Sequence, residues 1–274
     1  NDSAMLDNSL LRSGSAAQLD SSAHEGPAPP DINCTIPPIV PVPKSKQGKA
    51  LAFDMSDYAK DTVALYLKVT NQQSLRRAWT PFVPEGSTTL ADSCAPGELA
   101  PKACSVLMKS LWLARLSRPD LQKAISDLAS HVQTWSRTED KKLYRLICYL
   151  NTTVHYRLVG RVNDPAHLLH LVLFVDADFA GDSDSTRSTS GGYLVLAGPN
   201  TWFPLAHVCR RQTSTSRSTT ESEIVSLAES LFAEALPTLD LWETLLDRTV
   251  HLTILEDNQA TIKILAKGYS SKLR

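Results

Sequence analysis

Over residues 57–71 the apolar positions Val63, Tyr66 and Leu67 are spaced to share one face, which predicts a helix. The segment TPFVPEGSTTLADSCAPGELAPKA follows and reads as a loop, because proline and glycine interrupt any period. Three further helices are predicted by i, i+4, i+7 repeats. They carry Leu107, Leu111 and Ala114; then Leu121, Ile125, Leu128 and Val132; then Leu143, Leu146, Ile147 and Leu150. Arg118-Pro119-Asp120 divides the first from the second, since proline lacks the N–H that a helix interior needs and is tolerated in a first turn.

Beyond about residue 154 the pattern changes. Residues 167–177 predict a strand apolar on both faces, hence central in a covered sheet, and 192–197 and 201–208 predict two more, joined by Gly198-Pro199-Asn200. A helix is predicted over 220–235, with Ile224, Leu227, Ala228, Leu231, Phe232 and Ala235 on its apolar face. Pro237 is expected to interrupt it before a short helix over 239–246. A strand over 250–255 and a helix over 259–267 complete the order βββαβα, an α/β domain with a mixed sheet.

The Ser-, Asp- and Pro-rich residues 1–48 show no such period and are expected to be disordered. Residue 1 is Asn rather than Met, which suggests a piece of a longer polypeptide, with Met5 as the alternative start. The expected organisation is therefore a tail over 1–48, a helical region over 49–153 and an α/β domain over 154–274. The 28 basic and 29 acidic residues nearly cancel, so only local patches could attract nucleic acid. Five widely spaced cysteines lack zinc or redox spacing and read as reduced thiols. No segment resembles a signal peptide or reaches membrane-spanning length, so an intracellular protein, cytoplasmic or nuclear and without a membrane partner, is expected. For the same reason, the glycosylation-type tripeptides at Asn33 and Asn151 carry no weight.

The chemistry gathers where strands end. LVLFVDADFAGDSDSTRSTSGG runs an apolar strand into Asp176, Asp178, Asp182 and Asp184, and LTILEDNQA ends another strand at Asp257. If these strands are neighbours, Asp176 and Asp257 converge, and Glu221 or Glu223 on the intervening helix can add a third carboxylate. Clustered carboxylates repel one another unless a hard divalent cation such as Mg²⁺ neutralises them. Two such ions suit phosphodiester cleavage.

Plainer roles compete. Aspartates form turns, which is the simplest account of Asp182 and Asp184, and both Ser218-x-x-Glu221 and Thr220-x-x-Glu223 fit a helix capping box. Helical phase does not choose between the two glutamates. An EF-hand loop starting at Asp176 is excluded by Ala180 at position five and Arg187 at position twelve. Asp176-x-Asp178 after an apolar run also resembles the first motif of haloacid-dehalogenase-type phosphotransferases, which would make Asp176 a nucleophile. Ala180 departs from that motif, and no later paired-aspartate motif follows.

Three ordered segments, VDADFAGDSDSTRSTSGGY, RRQTSTSRSTTESEIVSLAES and LEDNQATIKI, together resemble the ribonuclease H domain of copia-type retrotransposon Pol polyproteins. The upstream ACSVLMKSLWLARLSRPDLQKAISDLASHVQTWSRTEDKKLYRLICYLNTT is similar to the reverse transcriptase thumb or connection region of the same family. The resemblance implies a ribonuclease H-like mixed sheet with flanking helices. It assigns catalytic and metal-binding roles to Asp176, Glu223 and Asp257, local support to Asp178 and Asn258, and capping to Glu221. It implies two Mg²⁺ ions, hydrolysis of the RNA strand of an RNA–DNA hybrid, and contact with the polymerase palm of the parent polyprotein. Between Ser185 and Thr220 there is no Asp or Glu, and Arg187, Arg210, Arg211 and Arg217 are candidates for phosphate contacts.

The chain also departs from the family. Residues 258–274 hold no Asp, Glu or His where the resemblance implies a fourth acid, so the second ion is expected to be poorly held and activity low or absent. No Asp-Asp pair occurs anywhere, so the polymerase active site is missing. A noncatalytic nucleic-acid-binding remnant is the alternative.

Overall fold

The structure, a computed structural model, describes residues 4–7 as backbone and residues 48–181 and 186–269 in full. The chain divides into two compact units, Ala50–Gly160 and Arg161–Arg274 with Asn1–Lys49. The division falls a few residues beyond the change of period near 154. Two short strands come first, β1 (Ala4–Asp7) and β2 (Lys49–Phe53). Within the segment expected to be disordered, β1 is thus a strand; residues 1–3 and 8–47 lie outside the described residues.

The first unit is helical. It contains α1 (Ser56–Thr70), α2 (Leu90–Cys94), α3 (Ala100–Leu116), α4 (Gln122–Ser130) and α5 (Arg137–Thr152). The predicted periodic residues form its core: Val63 and Tyr66 from α1, Leu107 from α3, Ile125 and Leu128 from α4, and Leu143, Leu146, Ile147 and Leu150 from α5. Burying each such side chain stabilises the fold by about 1.5–3 kcal/mol. Pro119 opens a short 3₁₀ turn, Pro119–Leu121, between α3 and α4. Helix α2 was not expected; it forms because Thr89 and Asp92 cap each other's backbone N–H groups. Ser136 and Glu139 make the same reciprocal cap at the start of α5.

Three charged side chains are buried here, and each is partnered. Arg118, 2% exposed, donates from Nε to Asp120 at 2.9 Å and from Nη1 and Nη2 to the backbone oxygen and hydroxyl of Thr153 at 2.8 and 2.7 Å. Its guanidinium also lies against the rings of Tyr149 and Tyr156. Glu139 accepts from the backbone N–H and hydroxyl of Ser136. Asp92 accepts from Lys141 at 2.6 Å and from Thr89; the Lys141 ammonium and the Thr89 donors hold its carboxyl down to about 2.

The second unit is a mixed sheet with helices, an α/β architecture. Its elements are β3 (Leu158–Val162), β4 (His170–Asp178), β5 (Thr189–Gly198), β6 (Thr201–Arg211), α6 (Thr219–Ser230), α7 (Leu236–Leu246), β7 (Leu252–Glu256) and α8 (Gln259–Lys267). Strand order runs β1-β7-β4-β5-β6-β3. Strand β4 is central as expected, parallel to β7 and antiparallel to β5. Leu171, Leu173 and Val175 of β4 pack with Leu252 and Ile254 of β7 beneath Leu227, Leu231 and Leu239. Strand β3 was not anticipated, because LVGRV carries no clear period.

Two expectations about the central helix are corrected. The chain does not break at Pro237: α6 passes through a π turn, Leu231–Ala235, directly into α7. The Leu236 N–H there bonds to the carbonyl of Leu231, five residues back, and the missing Pro237 donor falls in the first turn of α7. Phe232 is 69% exposed rather than on the buried face, because the helix buries Ser222, Glu223, Ser226, Leu227 and Ser230 instead. That serine stripe lets α6 lie close on β5. A Cβ at Gly192 would meet the Ser230 side chain, with Ser230 Cβ only 2.9 Å away. The Ser226 hydroxyl donates to the backbone oxygen of Asp176 at 2.7 Å, fixing helix to strand beside the first acid.

Among the described residues no helix is long and apolar enough to cross a membrane. Cys94, Cys104, Cys148 and Cys209 form no disulfide; Cys34 lies outside the described residues.

Candidate metal centre

The register of the parallel pair places Phe174 opposite Leu255, so Asp176 and Asp257, each two residues further on, come side by side just past the last β4–β7 pair. Helix α6 presents Glu223 to the same place. One carboxylate oxygen from each of Asp176, Glu223 and Asp257 lies within 4.8 Å of the others. Asp176 and Asp257 are exposed, whereas Glu223 is 3% exposed. The structure also separates the two glutamates. Glu221 is only half-buried; its backbone N–H is capped by Ser218, and its carboxylate accepts from the backbone N–H of Arg217 at 2.7 Å.

Buried carboxylates should find hydrogen-bond donors, yet Glu223 Oε2 has no partner among the described residues. Burial pushes the Glu223 carboxyl up to about 8. The charges of Glu256, Asp176 and Asp257 act in the same direction, and a hydrogen bond from the Ala177 backbone opposes them.

Glu256 was not singled out from the sequence. It is 1% exposed at the end of β7, accepts from the backbone N–H of Asn258 at 3.0 Å through Oε1, and leaves Oε2 without a partner among the described residues. Burial raises its pKa; the Asn258 N–H counters this, and Asp257 and Asp176 add to the rise. The signal that could have found it is the alternation Leu252, Ile254, Glu256, which puts all three on one face of β7.

The remaining predicted residues lie around this centre. Asn258 caps α8, accepting from the backbone N–H groups of Ala260 and Thr261 at 3.0 and 3.1 Å. Asp178 stays outside the three-carboxylate cluster, its carboxylate lying over the turn at Gly181. Asp182 and Asp184 fall outside the described residues. Arg210 and Arg211 are exposed at the end of β6, opposite Ser190 and Thr189 of β5, and Thr189 in turn faces Asp178 of β4. They therefore sit at the acidic end of the sheet, two strands or about 10 Å from β4. Arg217 is exposed just before α6, and Arg187 is half-buried before β5. Gln212, also missed, is 1% exposed and ties this region together. Its side-chain amide donates to Ser190 Oγ and the Ser222 carbonyl, and its oxygen accepts from Ser216.

The second unit is thus a mixed α/β sheet with a helix, in which three carboxylates converge beside the strand ends. No family model matches the chain, and no solved structure does. Curated relatives do match. The chain is 27% identical over 161 residues to the Retrovirus-related Pol polyprotein from transposon RE1 of Arabidopsis thaliana, covering 59% of this chain and 10% of the relative. It is 28% identical over 161 residues, with the same coverage, to the corresponding polyprotein from transposon RE2. It is 33% identical over 121 residues to the Secreted RxLR effector protein 161 of Plasmopara viticola, covering 44% of this chain and 80% of the relative. These matches make the chain similar to a segment of retrotransposon Pol polyproteins, as a copia-type Pol fragment would be, and it spans about a tenth of the length of the two Pol polyproteins it matches.

Proposed function

We propose that the second unit is a ribonuclease H-like, divalent-cation-dependent nuclease acting on the RNA strand of an RNA–DNA hybrid. The observation that carries this proposal is the convergence of Asp176, Glu223 and Asp257 within 4.8 Å from three separate elements. An all-oxygen donor set with an orphaned, buried Glu223 Oε2 fits a hard cation such as Mg²⁺. Bound there, such ions supply Lewis-acid stabilisation of the attacking and leaving oxygens of a phosphodiester.

The protein's own residues then have distinct tasks. Asp176 and Asp257 offer exposed carboxylates at the sheet end, and Glu223 reaches them from a helix fixed by the Ser226 hydrogen bond. Arg187, Arg210, Arg211 and Arg217 bind phosphates along the substrate, and contacts to 2′-hydroxyls distinguish RNA from DNA. In the same proposal the helical unit is the thumb or connection region, and the polymerase palm of the parent polyprotein is its partner.

The test is incubation of the full chain with a labelled RNA–DNA hybrid and Mg²⁺. RNA-strand cleavage that is absent from Asp176→Asn and stopped by EDTA is expected. Salt-sensitive hybrid binding with no cleavage beyond that control would instead support a noncatalytic remnant.

A further inference from the structure

Gln212 is buried in the segment that joins β6 to α6, and both ends of its side-chain amide are engaged. Its nitrogen donates to Ser190 Oγ at 3.1 Å and to the Ser222 carbonyl at 2.9 Å. Its backbone N–H donates to the Ser188 carbonyl at 2.8 Å. The two side-chain donations close a ring around Glu223. The Ser222 carbonyl belongs to the peptide group that leads into Glu223, and the Glu223 carboxylate accepts a hydrogen bond from the Ala177 backbone. Ala177 of β4 lies opposite Ser190 of β5, and Ser190 receives the other N–H of the same amide. One nitrogen thus fixes the α6 backbone on one side of Glu223 and the strand pair on the other. An apolar side chain of equal size would fill this space without holding that spacing, because hydrogen bonds are directional and dispersion contacts are not.

The oxygen of the amide faces the loop. It accepts from the Ser216 hydroxyl at 3.0 Å, while Thr213, Ser214, Thr215 and Arg217 are exposed. The far end of the loop is held by the Arg217 N–H, which donates to the Glu221 carboxylate at 2.7 Å. Residues 213–217 therefore present hydroxyls and a guanidinium to solvent from a segment anchored at both ends, with no acid among them.

We propose that Gln212 is a positioning residue, its amide aligning Glu223 with Asp176 and Asp257 and holding residues 213–217 as a substrate-facing loop. Cation affinity and hybrid affinity are then both set by one buried, uncharged side chain. This rests on the nuclease reading of the site and deepens it.

Two variants of the full chain test it: Gln212→Met keeps the volume and removes every hydrogen bond of the amide, and Ser216→Ala removes the loop contact alone. Mn²⁺ affinity is read from the electron paramagnetic resonance signal of free ion, and affinity for an RNA–DNA hybrid from fluorescence anisotropy in EDTA, so neither depends on turnover. Gln212→Met is expected to bind Mn²⁺ about tenfold more weakly, the scale on which residues that orient a metal ligand act. Both variants are expected to bind the hybrid about threefold more weakly, as loss of one hydrogen bond implies, and the loss in Ser216→Ala should vanish when Arg217→Ala is already present. Ser216→Ala with the parent's hybrid affinity overturns the loop half of the inference. A merely structural Gln212 would lower the thermal midpoint of Gln212→Met and leave both affinities at parent values; that result overturns the inference and leaves the nuclease reading standing. If Gln212→Met does not fold, Ser190→Ala takes its place, and parent-like Mn²⁺ binding there is equally fatal. A parent chain that binds neither Mn²⁺ nor the hybrid overturns both.

Discussion

The two units treat buried charge in opposite ways. In the helical unit Arg118, Asp92 and Glu139 are each met by donors, acceptors or an opposite charge from the chain itself. In the sheet unit Glu223 and Glu256 are as deeply buried, and each leaves an oxygen unmet among the described residues. Satisfied burial specifies and holds a fold, whereas unsatisfied burial is expensive and persists where its partner comes from solution. The contrast separates charge satisfied within the fold from charge that the fold leaves unmet.

The largest effect expected is at the exposed acids. Asp176→Asn or Asp257→Asn should reduce hybrid cleavage by roughly a thousandfold, equivalent to several kcal/mol of transition-state stabilisation, in a normally folded protein. Single-turnover cleavage with circular dichroism as the folding control checks it; near-parent rates would remove these residues from the chemistry.

Next comes the scaffold side of the contrast. Arg118→Ala leaves Asp120 and Thr153 without their buried donor and should destabilise the helical unit by about 3–5 kcal/mol in urea unfolding. A loss below about 1 kcal/mol would mean that Arg118 is effectively solvated.

Glu223→Gln should have the opposite sign. The Glu223 carboxyl is raised from 4.5 to about 8, so between those values the folded state holds a proton that the unfolded state has released. Cation-free stability from this group is therefore fully present below about 4.5 and declines as pH rises through about 8. Chemical denaturation across this range should show that decline in the parent chain and a flatter profile in Glu223→Gln. At pH 9 without cation the variant should be the more stable by about 1–3 kcal/mol, and saturating Mg²⁺ should restore the parent's stability. A parent profile identical to that of the variant would erase the distinction between the units at this position.

The smallest effect is at a cap. Ser136→Ala removes the hydroxyl that accepts from the Thr138 N–H and donates to Glu139, and should cost about 1 kcal/mol. Thermal unfolding that shows no change would mean Glu139 finds another donor.

Much of this was legible in advance because hydrophobic period and turn chemistry act locally. The α8 bounds match the predicted 259–267, and β6 begins at Thr201 as the Gly198-Pro199-Asn200 turn requires. Asp176 and Asp257 could be placed at strand ends for the same reason. What escaped depended on tertiary contact. The buried face of α6 is built of serines against Gly191 and Gly192, so its inward side looks polar in sequence and Phe232 looks inward when it is not. Helical phase therefore could not separate Glu221 from Glu223, although burial does so at once. Glu256 escaped because the predicted strand over 250–255 stops one residue short of it, while the strand's own alternation assigns it to the core face.

The close seating of α6 on β5 makes the missing side chain of an uncharged residue a determinant of where Glu223 stands. At Gly192 the space for a methyl group is already taken by Ser230, and Glu223 is two helical turns away on the same rigid rod. An alanine there would lift the rod from the sheet and withdraw Glu223 from the two aspartates, detuning the site without altering any ligand. The gauge that sets the distance between these acids is a bare α-carbon.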